Sequence, residues 1–199
     1  MIYFSIDIET TGVNWNQDTI LEFGAIMEDT EKQLPFESLP KFNALLRHPK
    51  YIGSPYALAL HTDIFTELAK PEGKSSEKII LYNHLGIEFK SWLIKQGIDS
   101  SSKIVVAGKN FASFDMRFLE NLEGFNSYIK FNQRFIDPAV FYFDSSVDKE
   151  LPNLSLCKQR AGIQDTTIAH RTIKDAWDII SVLRGKMYPV INNEKFKTL

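Results

Sequence analysis

The stretch Ile2-Tyr3-Phe4-Ser5-Ile6-Asp7-Ile8-Glu9-Thr10-Thr11-Gly12 decides how the rest of the chain is read. Ile2 to Glu9 carries apolar residues on both faces, ends in carboxylates and meets a Thr-Thr-Gly turn, the pattern of a central strand covered on both sides. Asp7 and Glu9 are two residues apart, so their side chains leave the same face about 6.6 Å apart along the backbone. Such a pair at the end of a buried strand is costly unless a cation neutralises it. Hard oxygen donors without clustered Cys or His favour Mg2+ or Mn2+ over zinc. The plainer alternative puts Glu9 at a solvated strand end and pairs Asp7 with a lysine. Gly12 permits a turn close to a ligand, and the Thr10 and Thr11 hydroxyls and nearby amides can donate to phosphate oxygens.

Working outward, Ile20–Met27 and Lys41–Leu46 read as two more strands, joined to the first as an antiparallel meander. Ser54-Pro55 opens a helical stretch that runs through Lys70 and stops at Pro71-Glu72-Gly73. Ile79, Leu81, Leu85, Phe89, Trp92 and Leu93 recur at helical spacing up to Gly97. Ile104–Ala107 and Phe131–Ile136 read as strands. Ala112–Leu122, Asn153–Gly162 and the stripe from Ile173 to Met187 read as helices. The expected fold class is α/β: a mixed five-stranded sheet, three antiparallel strands then two parallel ones, flanked by helices. No repeat or linker divides residues 1–199, so one domain is expected, with 190–199 as a candidate tail.

The chain has 199 residues, 44% hydrophobic and 24% charged, enough apolar material for one folded domain rather than a disordered or fibrous protein. Lys plus Arg total 23 against 25 Asp plus Glu, so no broad positive field holds duplex DNA, and any nucleic-acid contact is local. The single cysteine, Cys157, cannot form an intrachain disulfide. With no basic leader and no apolar run of membrane length, a cytoplasmic protein without membrane contact is expected. Gly73-Lys74-Ser75 imitates the end of a P-loop but lacks the earlier glycine, where Leu68 stands.

Further along the chain three segments fall in order with the first motif. Asp18–Ile26 reads Asp-Thr-Ile-Leu-Glu-Phe-Gly-Ala-Ile; Asn110-Phe111-Ala112-Ser113-Phe114-Asp115 follows; and His170-Arg171-Thr172-Ile173-Lys174-Asp175-Ala176 has the His-x4-Asp form. With Asp7-x-Glu9-Thr10-Thr11-Gly12, this series resembles the DnaQ-like, DEDDh branch of 3′-to-5′ exonucleases, a superfamily of RNase H-like fold. Asp137-Pro138 and Asn153-Leu154-Ser155-Leu156 also match the family's order of elements. Lys109 stands where proofreading subunits usually have His, and the Asn110 to Asp115 spacing resembles oligoribonuclease, whereas the first motif leans toward the proofreading type.

The resemblance implies two divalent cations, Mg2+ or Mn2+, held by Asp7, Glu9, Asp115 and Asp175, with His170 as general base. It implies a single-stranded DNA or RNA 3′ end as substrate and nucleoside 5′-monophosphates as product. Candidate substrate contacts are Thr10, Thr11, Gly12, Val13, Trp15, His61, Asn110 and Phe111, and Asp137 is a candidate for orienting His170. A polymerase or a second copy of the chain is a further candidate partner, and a binding module on an exonuclease fold is the alternative function. Singly these residues read more plainly. Asp115 fits an exposed position in a first helical turn, Asp175 fits a Thr172-x-x-Asp175 capping box, and Asn110 fits a loop. His170 and Asp175 are five apart and so cannot share a helix face, which puts His170 on the segment leading into the helix.

Overall fold

Residues 1–187 are described by the computed structural model. The expected tail at 190–199 and the segment Asn192–Lys197 lie outside the described residues.

Strand β1 (Ile2–Thr10) lies between antiparallel β2 (Ile20–Asp29) and parallel β5 (Val106–Ala107). Strand β3 (Lys41–Arg47) pairs antiparallel with β2, and β4 (Ile79–Leu81) pairs parallel with β3, giving the order β4-β3-β2-β1-β5. The antiparallel meander is therefore as expected, and two parallel partners flank it. One of them is not the expected one. Ile79–Leu81, read as the head of a helix, is the edge strand. A short apolar run has no decisive period, and the β-branched pair Ile79-Ile80 suits a pleated edge. Phe131–Ile136 contributes only bridges at its ends, Ile104 to Phe131 and Ala107 to Ile136, because Asn132, Gln133 and Arg134 in between offer no apolar face.

The helices are α1 (Pro55–Leu60), α2 (Thr62–Leu68), α3 (Leu85–Lys95), α4 (Asp115–Asn121), α5 (Phe125–Tyr128), α6 (Pro138–Tyr142), α7 (Leu154–Arg160) and α8 (Thr172–Met187). The stretch expected as one helix from Ser54 to Lys70 breaks at His61, whose φ of -103° and ψ of 34° are not helical. Ser54 caps α1 by accepting from Ala57 N, Asp137 caps α6 at Ala139 N, and Asn153 caps α7 at Leu156 N. No helix among the described residues is long and apolar enough to cross a membrane.

Strand alternation assigns the two faces of the sheet. Phe4, Ile6 and Ile8 point with Phe23 and Phe42 into a core closed by Leu85, Phe89 and Leu93 of α3. Phe23 and Phe89 meet edge-on at 4.9 Å, a geometry that aromatic quadrupoles favour. Tyr3, Ser5, Asp7 and Glu9 have the opposite parity, as do their β2 partners Glu28, Ile26, Gly24 and Glu22. That face carries α8, through Ala176, Ile179, Ile180 and Leu183. Close seating needs small or paired residues beneath the helix. Ser5 Oγ donates to Ala176 O, Arg184 pairs with the buried Glu28, and Gly24 leaves room for Thr172. The carboxyl end of β1 and the amino end of α8 thus meet on one face.

Candidate active site

The first-motif turn is locked by its own hydroxyls. Thr10 Oγ1 donates to Gly12 O, and Thr11 Oγ1 donates to Ile52 O and accepts from Thr19 N. The two threonines, expected as phosphate donors, hold the turn with those oxygens instead, and both side chains are buried. A methyl group on Gly12 would lie 2.3 Å from an Asp18 carboxylate oxygen, and one on Gly53 would lie 2.2 Å from Thr11 O. Both glycines therefore permit close approach. Ser54 N donates to Thr11 O, so α1 is fastened to the same turn.

Glu9 leaves the end of β1 toward α8, where one ligand atom each from Glu9, His170 and Asp175 all lie within 4.8 Å of one another. His170 stands in the segment before α8, as its spacing from Asp175 requires. It is exposed, in a left-handed conformation of φ 53°. Asp175 is no capping-box partner: its Oδ1 accepts from Ala169 N at 3.1 Å, bending the loop so that His170 comes back over its own helix.

Asp115 opens α4 and is buried, not exposed. Strand β5 ends opposite Ser5, so Ile8 N finds no strand acceptor there, and Asp115 Oδ1 accepts from it at 3.2 Å. The half-buried Asp7 lies in the same cluster.

These acids have little to neutralise them. Among the described residues no lysine or arginine forms an ion pair with Asp7, Glu9, Asp115 or Asp175; Glu9 contacts His61, with Nε2 3.3 Å from Oε2, and Arg171 acts on it only at longer range. Burial, then the neighbouring charges of Asp115, Glu9, Asp175 and Glu22, pushes Asp7 well above the carboxylate range. Burial and then Asp175 raise Glu9 to about 8. Burial raises Asp115 to about 7 against the bond from Ile8 N, and raises Asp175 against the bond from Ala169 N. Burial, then His170, lowers His61. Four converging oxygen-donor groups that resist ionising together are the donor set that a hard divalent cation satisfies.

Glu22 and Arg171 complete the framework; both lie in the motif segments read from the sequence, where neither was given a role. Glu22 is buried opposite Glu9 on β2. It accepts from Arg171 Nε at 3.1 Å, from Arg171 Nη2 at 3.2 Å and from Asn43 Nδ2 at 3.0 Å. Arg171 also pairs with Asp63 of α2 and with Glu77. The signal was present: a glutamate inside an otherwise apolar strand, two residues before a glycine, requires a cation across the interface.

The residues expected at the substrate divide. Val13 is 81% exposed, and Trp15 is partly exposed under Arg117, with Asn121 Nδ2 donating to Trp15 O. His61 is buried at the junction of α1 and α2. Phe111 cannot stack on a base as expected: it is 1% exposed, packed against Phe131 and Phe135 in the core. Asn110 is exposed at a φ of 59°, its side chain bonded to Lys109 Nζ. Asp137 does not orient His170. It accepts from Asn110 N and Ala139 N, which ties the Asn110 loop to α6. Tyr56 and Leu60, one turn apart on α1, are exposed apolar side chains that the sequence reading did not single out.

No protein-family model matches the chain, and no curated protein matches it by sequence. Solved structures do match by shape. Pop2p of S. pombe, in a form with Mg2+ and Mn2+ bound, is similar at 14% identity and TM-score 0.59, over 92% of this chain and 83% of that one. A zinc-bound complex of E. coli ExoI with single-stranded DNA gives 16% identity and TM-score 0.60, over 93% of this chain and 41% of that one. E. coli exonuclease I with a dT13 oligonucleotide gives 15% and 0.58, over 92% and 41%. The chain thus spans well under half of exonuclease I. It shares the RNase H-like α/β fold of these structures, as the order of its elements led one to expect.

Proposed function

We propose that this protein is a metal-dependent exonuclease of the DEDDh type, a single domain over 1–199 that removes nucleoside 5′-monophosphates from free 3′ ends of single-stranded DNA or RNA. The observation that carries the reading is the convergence of Glu9, His170 and Asp175, with the half-buried Asp7 and the buried Asp115 beside them. A binding module has no use for acids that raise one another's pKa, since without a cation they only destabilise the fold. Exonuclease I, similar in fold, is solved with single-stranded DNA, which agrees with the substrate class.

In this reading Asp7, Glu9, Asp115 and Asp175 hold two divalent cations, Mg2+ or Mn2+. When bound, the pair supplies an activated nucleophile at neutral pH and neutralises charge on the phosphoryl oxygens and the leaving 3′ oxygen. His170, exposed beside Glu9 and Asp175, accepts the proton of the attacking water at a ring nitrogen. His61 beneath Glu9 fixes that carboxylate through the 3.3 Å contact. Val13, Trp15 and Asn110 at the rim meet the terminal nucleotides, because stacking and apolar contacts tolerate any base. The single unpaired cysteine suits a cytoplasmic setting. A polymerase or a second copy is a further partner under this reading.

A 5′-labelled single-stranded oligonucleotide incubated with Mn2+ is expected to give a stepwise ladder that requires a free 3′ hydroxyl. Cleavage of a 3′-blocked strand, or no product at all, would overturn the proposal.

A further inference from the structure

Lys158 is the most deeply buried cation in the described chain, 1% exposed on α7, and no step above uses it. Its Nζ donates to Asp178 Oδ2 of α8 at 2.6 Å and to Thr167 O at 2.9 Å. One turn earlier on the same helix, Ser155 Oγ donates to Thr166 O at 2.9 Å. The loop from α7 to α8 is therefore gripped at two successive carbonyls. Beyond them Ala169 N reaches Asp175, and His170 follows in its left-handed conformation.

Helix cohesion does not account for the charge. Cys157 and Val182 belong to one buried apolar cluster that already joins α7 to α8, and a buried ion pair is commonly replaceable by apolar residues of similar volume. What an apolar residue cannot do is hold a backbone carbonyl. The Thr167 contact is the part of the arrangement that needs a long side chain ending in a hydrogen-bond donor.

We propose that Lys158 is a positioning residue for the reaction: it fixes the backbone at Thr167 and, through the short stretch to Ala169, sets where the His170 imidazole stands beside Glu9 and Asp175. This rests on the reading of His170 as the group that takes the proton. The Asp178 contact holds the ammonium in place and keeps its charge compensated, so that it can serve the loop.

The test is the double variant Lys158→Met/Asp178→Asn, which removes both members so that neither charge is stranded, compared with wild type by hydrogen exchange and by steady-state kinetics. Amides of residues 165–171 are expected to exchange at least about tenfold faster while those of β1 are unchanged. With an oligonucleotide and Mn2+, kcat is expected to fall about tenfold with KM within about twofold, because the strand-binding rim is untouched. Wild-type loop exchange, or faster exchange with wild-type kcat, would overturn the proposal, and so would an equal loss in kcat with an unaltered loop. If the wild-type chain itself releases no nucleotide, the proposed function fails, and loop exchange alone decides whether Lys158 holds the loop.

Discussion

Thr172 stands so close over Gly24 that a methyl group on the glycine would lie 2.3 Å from Thr172 Oγ1 and 3.0 Å from its carbonyl carbon. The contact sets the height of α8 over the sheet, and with it the distance between Asp175 and the carboxylates of β1. Gly24→Ala is expected to cost roughly 1 to 3 kcal/mol of stability by overpacking. It should lower nuclease turnover further than that loss explains, because the helix carrying Asp175 must lift. Thermal unfolding and turnover measured on the same preparation check this. A fully stable, fully active variant would remove Gly24 from the argument.

Asp115→Asn is expected to abolish turnover, by about a hundredfold or more, while raising the melting temperature in EDTA. The amide removes a buried charge that burial already disfavours and keeps an oxygen for Ile8 N. A variant less stable than wild type without metal would show that the carboxylate is structural.

The pH dependence of stability has a definite sign. Glu9, normally near 4.5, is raised to about 8, and Asp115, normally near 3.8, is raised to about 7. Between the unfolded and folded values the folded protein binds more protons than the unfolded chain, so its stability falls as pH rises. The contribution is complete below about pH 4 and is lost as pH passes through 7 to 8. In EDTA the melting temperature should be lower at pH 8 than at pH 5, and Mg2+ should restore it at pH 8, where the acids are free to bind. A melting temperature in EDTA that rises from pH 5 to pH 8 would contradict the cluster.

Arg171→Ala leaves Glu22 buried without its cation and frees α2 and the Glu77 segment from α8. A loss of about 3 kcal/mol is expected, as for other broken buried pairs, read by urea unfolding. Glu22→Gln combined with Arg171→Ala should recover part of it. If the pair costs as much as the single change, the link between Glu22 and Arg171 contributes little.

Val13→Asp places a negative charge on an 81% exposed side chain at the rim. KM for a single-stranded oligonucleotide should rise several-fold with the melting temperature unchanged. An unaltered KM would move the substrate path away from the first-motif turn.

Much of this was legible in the sequence because the relevant signals are local. The apolar residues on both faces of Ile2 to Glu9 give the strand, the two-residue spacing gives Asp7 and Glu9 a shared face, and the spacing from His170 to Asp175 puts the histidine before the helix. What escaped depends on tertiary packing. Ile79–Leu81 carries too few residues to declare a period. Phe111 sits beside a motif residue, yet its aromatic ring goes to the core, and only its neighbours Phe131 and Phe135 decide that. The hydroxyls of Thr10 and Thr11 have the right chemistry for phosphate but find acceptors at Gly12 and Ile52 within the chain. Glu22 could be read as buried from its place in an apolar strand, but its partner Arg171, and the burial of Lys158, emerge only from the packing of α8.

The first strand and the final described helix supply opposite halves of the acidic cluster. A ribosome-bound polypeptide therefore displays Asp7, Glu9 and Asp115 well before Asp175 emerges. On the proposed function, a nascent chain stalled anywhere short of that helix is inert, and cutting power arrives only as α8 docks.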